Sequence, residues 1–158
     1  MEEDNSDKNE EKRSTILSGV SGEYFVAAEL SKRGNIASIT LRNTKGVDIL
    51  CSNSEATKTV GIQVKTNSGS SRNWILNQKA EDYFADNLFY VFVNLNENKK
   101  HPEFFIVPSK IVAQYCKEGH SNWLSTPSKK GQKHKDTPMR KFHDTNEEYL
   151  NRWDLLNL

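Results

Sequence analysis

The sequence is poor in cysteine and in motifs for cofactors. Its 158 residues include two cysteines, Cys51 and Cys116, which form no CxxC pair. Two isolated cysteines are typical of reduced, buried thiols in a cytosolic protein rather than of a disulfide framework. The four histidines lack the spacing of metal ligands, and GxGxxG, HExxH, GxSxG and P-loop motifs are absent from the sequence. The sequence therefore argues against zinc chemistry and nucleophilic catalysis.

Long apolar stretches are also missing. No run approaches the roughly 18 apolar residues that a membrane-spanning helix needs, and no signal-peptide core is present. Apolar residues make up only 35% of the chain, which suggests that part of it is a solvated tail. We therefore expect a soluble, cytoplasmic protein without a membrane partner.

Charge is unevenly distributed. Residues 1–13 hold six acids and three bases, with no apolar residue after Met1. Such a segment buries too little apolar surface to offset its ordering entropy, so we expect a disordered acidic tail at 1–13. The remaining 19 basic and 15 acidic residues belong to one domain, 14–158, whose mildly basic balance is compatible with a polyanionic partner.

Hydrophobic periodicity divides the domain into helices and strands. Helices are predicted at 14–33, 78–86, 109–116 and 146–156, and strands at 36–41, 46–51, 59–66, 88–95 and 104–107. The segment 125–137 contains Pro, Gly and four lysines, and is predicted to be a mobile surface loop. A meander of strands followed by a helical crossover predicts an α/β sandwich of three layers, with a mixed sheet of about five strands between helices.

The most informative stretch is Gly46 to Thr66, which is predicted to be a hairpin. Three polar residues interrupt its apolar strands: Asp48 in the first, and Gln63 and Lys65 in the second. The period of two places Gln63 and Lys65 on one face and the apolar residues on the other. The apolar face of the second strand comprises Val60, Ile62 and Val64.

These residue types suit phosphodiester hydrolysis. Mg²⁺ prefers a few oxygen ligands, and Asp48, the amide oxygen of Gln63 and the main-chain carbonyl of Val64 can supply them. Lys65 can orient the attacking water and stabilise the developing charge. Glu23 lies on the predicted inner face of the first helix, so it can add a second carboxylate if that helix packs behind the hairpin.

The pattern resembles the PD-(D/E)XK nuclease superfamily over about residues 18–95. The resemblance is carried by Glu23 in GVSGEYFVAAEL, Asp48 in KGVDIL, and Gln63 and Lys65 in GIQVKT. It is most similar to the Mrr-type restriction endonuclease and archaeal Holliday-junction resolvase branches. The resemblance implies a restriction endonuclease-like fold and a DNA endonuclease dependent on Mg²⁺ or Mn²⁺. It also implies that Asp48 binds metal, Lys65 is catalytic, and Glu23 is an accessory acid.

Two departures from the family pattern leave an alternative open. No proline precedes Asp48, and Gln63 replaces the usual second acid, as in the QxK variant of the Mrr-like branch. The amide removes one negative charge from the metal site, so the alternative is a weak or inactive nuclease-fold protein that binds nucleic acid or a protein. Related nucleases are often dimers, so a homodimer is also a hypothesis.

Simpler interpretations exist for each candidate. Asp48 can be a turn residue, Lys65 an exposed charge at the end of a strand, and Glu23 a carboxylate at a helix edge. Candidates for contacts with DNA phosphates also have an alternative as residues of solvated loops. These candidates are Arg72, Asn73, Lys129 and Lys130.

The three tryptophans are predicted to be core residues rather than surfaces on which nucleic-acid bases stack. Trp74, Trp123 and Trp153 are large apolar side chains, and a core position is the usual one for such residues.

Overall fold

The computed structural model describes residues 4–41 and 45–158, with side chains from residue 15 onward except that of Asn98. Two α-helices and seven β-strands form the framework. In chain order they are α1 (Asp4–Lys32), β1 (Ile36–Ile39), β2 (Ile49–Ser52), β3 (Thr59–Asn67), β4 (Asn73–Asn77), β5 (Leu88–Asn94), β6 (Glu103–Pro108), α2 (Ser109–Ser125) and β7 (Met139–His143). Short 3-10 helices lie at Gln78–Glu81, Asn96–Asn98 and Trp153–Leu156.

Five strands form the central sheet in the order β1-β2-β3-β5-β6. Strands β3 and β5 are parallel, whereas the other neighbouring pairs are antiparallel. The hairpin of β2 and β3 therefore supplies the sheet's second and third strands. The mixed five-stranded sheet expected from the sequence is confirmed.

Apolar side chains cover both faces of this sheet. On one face α1 packs through Val26 and Leu30 onto Ile62, Val64 and neighbouring core residues. The opposite face carries an aromatic core beneath α2 and a second sheet of β4 and β7. The buried aromatic residues of that second core are Trp74, Tyr90, Phe92, Phe105 and Phe142. Three layers result, as predicted.

The second sheet was not predicted from the sequence. Strands β4 and β7 pair in antiparallel fashion, and each alternates buried with exposed residues. The indole nitrogen of Trp74 donates to the Val93 carbonyl at 3.1 Å, which ties β4 to the central sheet. Segments of five residues provide too little periodicity to predict a strand, and their pairing joins residues far apart in sequence.

The predicted C-terminal helix at 146–156 is wrong. Only Trp153–Leu156 is helical there, as a 3-10 turn. The buried carboxylate of Asp144 accepts the amides of Glu148 and Tyr149 at 3.0 and 2.9 Å, and Asn151 has a φ of 56°. Side-chain bonding to the backbone and a left-handed residue favour turns over a continuous helix.

Other helix boundaries differ from the sequence predictions. Helix α2 continues to Ser125 rather than ending at Cys116, and the helix expected at 78–86 is a 3-10 helix at Gln78–Glu81. Helix α1 begins at Asp4, so its backbone includes most of the acidic segment that was expected to be disordered. Glu, Lys and Arg are good helix formers and can extend a helix that apolar residues anchor. No described helix is both long and apolar enough to cross a bilayer.

Candidate active site

Asp48 is held by hydrogen bonds from both neighbouring strand segments. Its amide donates to the Ile62 carbonyl at 2.8 Å, and its carbonyl accepts the Thr40 amide at 2.9 Å. Its carboxylate oxygen Oδ2 accepts the amide of Val64 at 2.7 Å. These three contacts fix the backbone of Asp48 and orient its carboxylate towards β3.

The turn before Asp48 depends on glycine. Gly46 has a φ of +72°, and a Cβ at this position would overlap the ring of Tyr83. The Tyr83 hydroxyl donates to the Lys45 carbonyl at 3.3 Å. Tyr83 therefore packs over the turn and limits where the chain enters β2. This positioning role was not predicted from the sequence, although a glycine two residues before an acid is typical of a tight turn.

Gln63 and Lys65 lie on the face of the sheet that carries the aromatic core. In the parallel pairing of β3 with β5, Gln63 is opposite Tyr90 and Lys65 is opposite Phe92. Both polar side chains are half-buried. Val64 points to the other face, where it packs in the core beneath α1. The alternation expected from the sequence is thus present in β3.

The Asp48 carboxylate lies close enough to Tyr90 to affect the pKa of its phenol. Burial raises the pKa of the Tyr90 phenol, and nearby Cys116, Tyr83 and Asp48 raise it further. Asp48 directly precedes Ile49, the β2 partner of Ile62, so the register of the hairpin places it opposite Gln63. Asp48 and Gln63 are therefore neighbours across the hairpin, and Lys65 lies two residues further along β3.

The donor set suits a hard cation with few protein ligands. In the described part of the chain, no group of three His, Cys, Asp or Glu side chains is arranged to hold a metal ion. The candidate neutral ligands are the Gln63 amide and the main-chain carbonyl of Val64, the residue whose amide donates to Asp48. The Gly61 amide donates to Asn87 on the side of β5. Val64 lies three residues further along β3, so its amide and carbonyl groups point to the opposite side, towards β2. One carboxylate and two neutral oxygens fit Mg²⁺, which retains several waters in proteins.

Glu23 approaches β3 from the opposite face. It is half-buried on α1 beside Gly22, where a Cβ would overlap the hydroxyl of Thr66. Thr66 follows Lys65 directly, so α1 packs behind the hairpin at the end that carries the candidate site. The close crossing explains a glycine at this position of the helix.

The predicted phosphate-binding residues occupy different environments. The Arg72 guanidinium forms an ion pair with Glu147 and donates to the Thr145 carbonyl at 3.5 Å, so it has a structural role in this conformation. Asn73 is half-buried at the start of β4. Lys129 and Lys130 are exposed between α2 and β7, away from any strand.

Comparison with known proteins identifies the fold. No family model matches the chain, and no curated protein matches it. Among solved structures, the bacterial homing endonuclease I-Ssp6803I aligns with a TM-score of 0.54 and 16% identity, over 90% of this chain and 91% of that chain. The chain has a nuclease-like fold. The alignment spans nearly the whole of both chains.

Proposed function

We propose that the protein is a metal-dependent DNA endonuclease of the PD-(D/E)XK type. The observation that carries the proposal is the Asp48 carboxylate, held by the Val64 amide beside the face of Gln63 and Lys65. The nuclease-like fold shared with a homing endonuclease supports it. The same residues carry the resemblance to the PD-(D/E)XK superfamily, so fold and motif point to one chemistry.

In this proposal the oxygens around Asp48 hold Mg²⁺ or Mn²⁺. Asp48 Oδ1, the Gln63 amide oxygen and the Val64 carbonyl are the protein ligands. The bound cation supplies neutralisation of the phosphate and a lower pKa for a coordinated water. Lys65 positions the scissile phosphate and stabilises its developing negative charge. Glu23 contributes a second negative charge from behind β3.

Removal of the Lys65 ammonium group tests the proposed catalytic role most directly. The protein is incubated with plasmid, single-stranded and branched DNA in Mg²⁺ or Mn²⁺, and cleavage is followed on gels. We expect Lys65→Ala to lower the cleavage rate by about 100-fold or more, the range for removing one transition-state donor. Lys32→Ala, which removes an exposed lysine at the end of α1, is the matched control and should cut normally. Equal cleavage by Lys65→Ala and wild type would overturn the proposal.

A second candidate function is nucleic-acid binding without cleavage. It is favoured by the neutral Gln63 and by the lack of a three-member acidic or His/Cys cluster among the described side chains. The variant Gln63→Glu separates the two functions because it restores the missing negative charge. Cleavage by wild type supports the endonuclease. Cleavage by Gln63→Glu alone, with DNA binding by both proteins, supports the non-cleaving function.

A further inference from the structure

A cavity of about 380 Å³ lies between the second half of α2 and strand β7. Tyr115, Gly119 and Trp123 form its helical wall, and their spacing of four residues places them along one side of α2. Met139 and Lys141 of β7 line the opposite side. None of its described lining residues is acidic.

Trp123 is a surface residue of this cavity rather than a core residue. It is 40% exposed, whereas Trp74 is 2% exposed. Its ring stacks on His134 with centroids 4.1 Å apart and on His120 with centroids 5.6 Å apart. Tyr115 is 38% exposed on the same helix. The expectation that all three tryptophans lie in the core is therefore wrong for Trp123.

Gly119 leaves open space between the two aromatic residues. A Cβ on Gly119 would find no atom within 4 Å. Glycine inside a helix costs about 1 kcal/mol relative to alanine, so it does not favour α2 at this position. Its lack of a side chain instead keeps the space between Tyr115 and Trp123 free.

Basic residues adjoin the cavity: Lys141 lines it, and Lys133 and Lys135 flank His134, which stacks on Trp123. The segment 125–137 adjoins the cavity through Thr137, and four of its lysines are exposed. The buried Arg140 pairs with Glu81 and donates to the carbonyls of Thr137 and Met139 at 2.7 and 3.0 Å, which anchors the end of this segment. The exposed lysines are Lys129, Lys130, Lys133 and Lys135. The acid of the same segment, Asp136, is bound to His120 at 2.7 Å.

The cavity belongs to the layer of α2, β4 and β7, which packs on the face of the sheet that carries Gln63 and Lys65. Phe92, the strand partner of Lys65, stacks on Phe142 of β7 with centroids 4.7 Å apart. Phe142 in turn contacts Tyr115 at the cavity wall, with centroids 4.9 Å apart. Aromatic contacts therefore link the cavity wall to the strand partner of Lys65.

We propose that this cavity binds an unstacked nucleobase of a DNA strand, whose flanking phosphates contact the lysines of 125–137. Aromatic side chains stack on bases of any sequence, and lysines bind the backbone, so the surface is complementary to single-stranded DNA. The proposal rests on the proposed function, because the strand is part of the substrate DNA. It assigns Lys129 and Lys130 to the non-scissile part of the strand.

The test measures binding of a fluorescein-labelled oligothymidylate by anisotropy, without metal, together with quenching of tryptophan emission. We expect wild type to bind with quenching, because Trp123 is the exposed tryptophan. Gly119→Leu fills the cavity and should weaken binding by about tenfold, within the range for loss of one base stack. Ser121→Leu adds the same side chain at an exposed α2 position outside the cavity and should bind normally. An oligonucleotide with abasic sites should bind wild type more weakly than oligothymidylate and without quenching.

Each outcome distinguishes the two proposals. Equal binding and quenching by Gly119→Leu and wild type, with both proteins folded by circular dichroism, would overturn the cavity assignment. The same holds if the abasic oligonucleotide binds as tightly as oligothymidylate. Binding and quenching by a protein that never cuts would retain the cavity assignment and overturn the nuclease. Cleavage by wild type without a change in tryptophan emission would retain the nuclease and overturn the cavity assignment.

Discussion

The Asp48 carboxylate accepts the Val64 amide at 2.7 Å, so one hydrogen bond joins the predicted acid to the strand that carries Gln63 and Lys65. The bond satisfies a partly buried amide and orients the carboxylate. A substitution at Asp48 therefore has separable effects on stability and on charge.

Asp48→Asn retains an oxygen that can accept the Val64 amide but loses the negative charge. We expect it to abolish cleavage while lowering the free energy of unfolding by less than about 1 kcal/mol. Asp48→Ala also leaves the amide unpaired, so it should cost about 1–3 kcal/mol more than Asn. Urea unfolding and plasmid cleavage measure the two effects. Cleavage by Asp48→Asn at the wild-type rate would contradict the role of the charge.

Gly46→Ala should destabilise the hairpin because the turn has a positive φ and lies against Tyr83. The left-handed conformation alone costs a non-glycine residue about 1–2 kcal/mol. The overlap with Tyr83 adds to this cost, so Gly46→Ala should be less harmful in a Tyr83→Ala background. A double-mutant cycle of unfolding free energies measures the difference. Strictly additive costs would show that the contact with Tyr83 does not constrain the turn.

The ion pair of Arg140 with Glu81 should be important for stability. The two side chains are only 3% and 16% exposed. Glu81→Ala leaves a buried guanidinium without its carboxylate, and we expect a loss of about 3–5 kcal/mol in unfolding free energy. Glu81→Gln retains a hydrogen-bond acceptor and should cost less. As a control, Asp154→Ala removes an exposed ion pair and should leave the free energy of unfolding nearly unchanged.

Because two of its thiols are buried, the protein should lose stability in alkaline solution. Burial raises the pKa values of Cys51 and Cys116 from 9.0 to about 11. The folded protein then binds more protons than the unfolded chain, so stability falls as pH rises from 9 to 11. Cys51→Ala should show a shallower fall over this window, measured by unfolding at each pH. An identical fall in wild type and Cys51→Ala would exclude a contribution from that thiol.

Prediction from the sequence succeeded where the decisive information was local. Period-two alternation separates Gln63 and Lys65 from Val64, and the cores of the structure preserve this separation. It failed where long-range contacts decide the conformation. Trp74 and Trp123 are the same residue type, yet one is buried against Val93 and the other faces a cavity.

The sequence by itself determined that this chain forms a three-layer sandwich and which residues of the hairpin are polar, because periodicity and charge are properties of neighbouring residues. Only the tertiary structure decided that the amide of Val64 binds Asp48, that Arg72 pairs with Glu147, and that β4 pairs with β7. Each of these contacts joins residues distant in sequence, and its free energy depends on burial that exists only after the sheet and its covering layers have assembled.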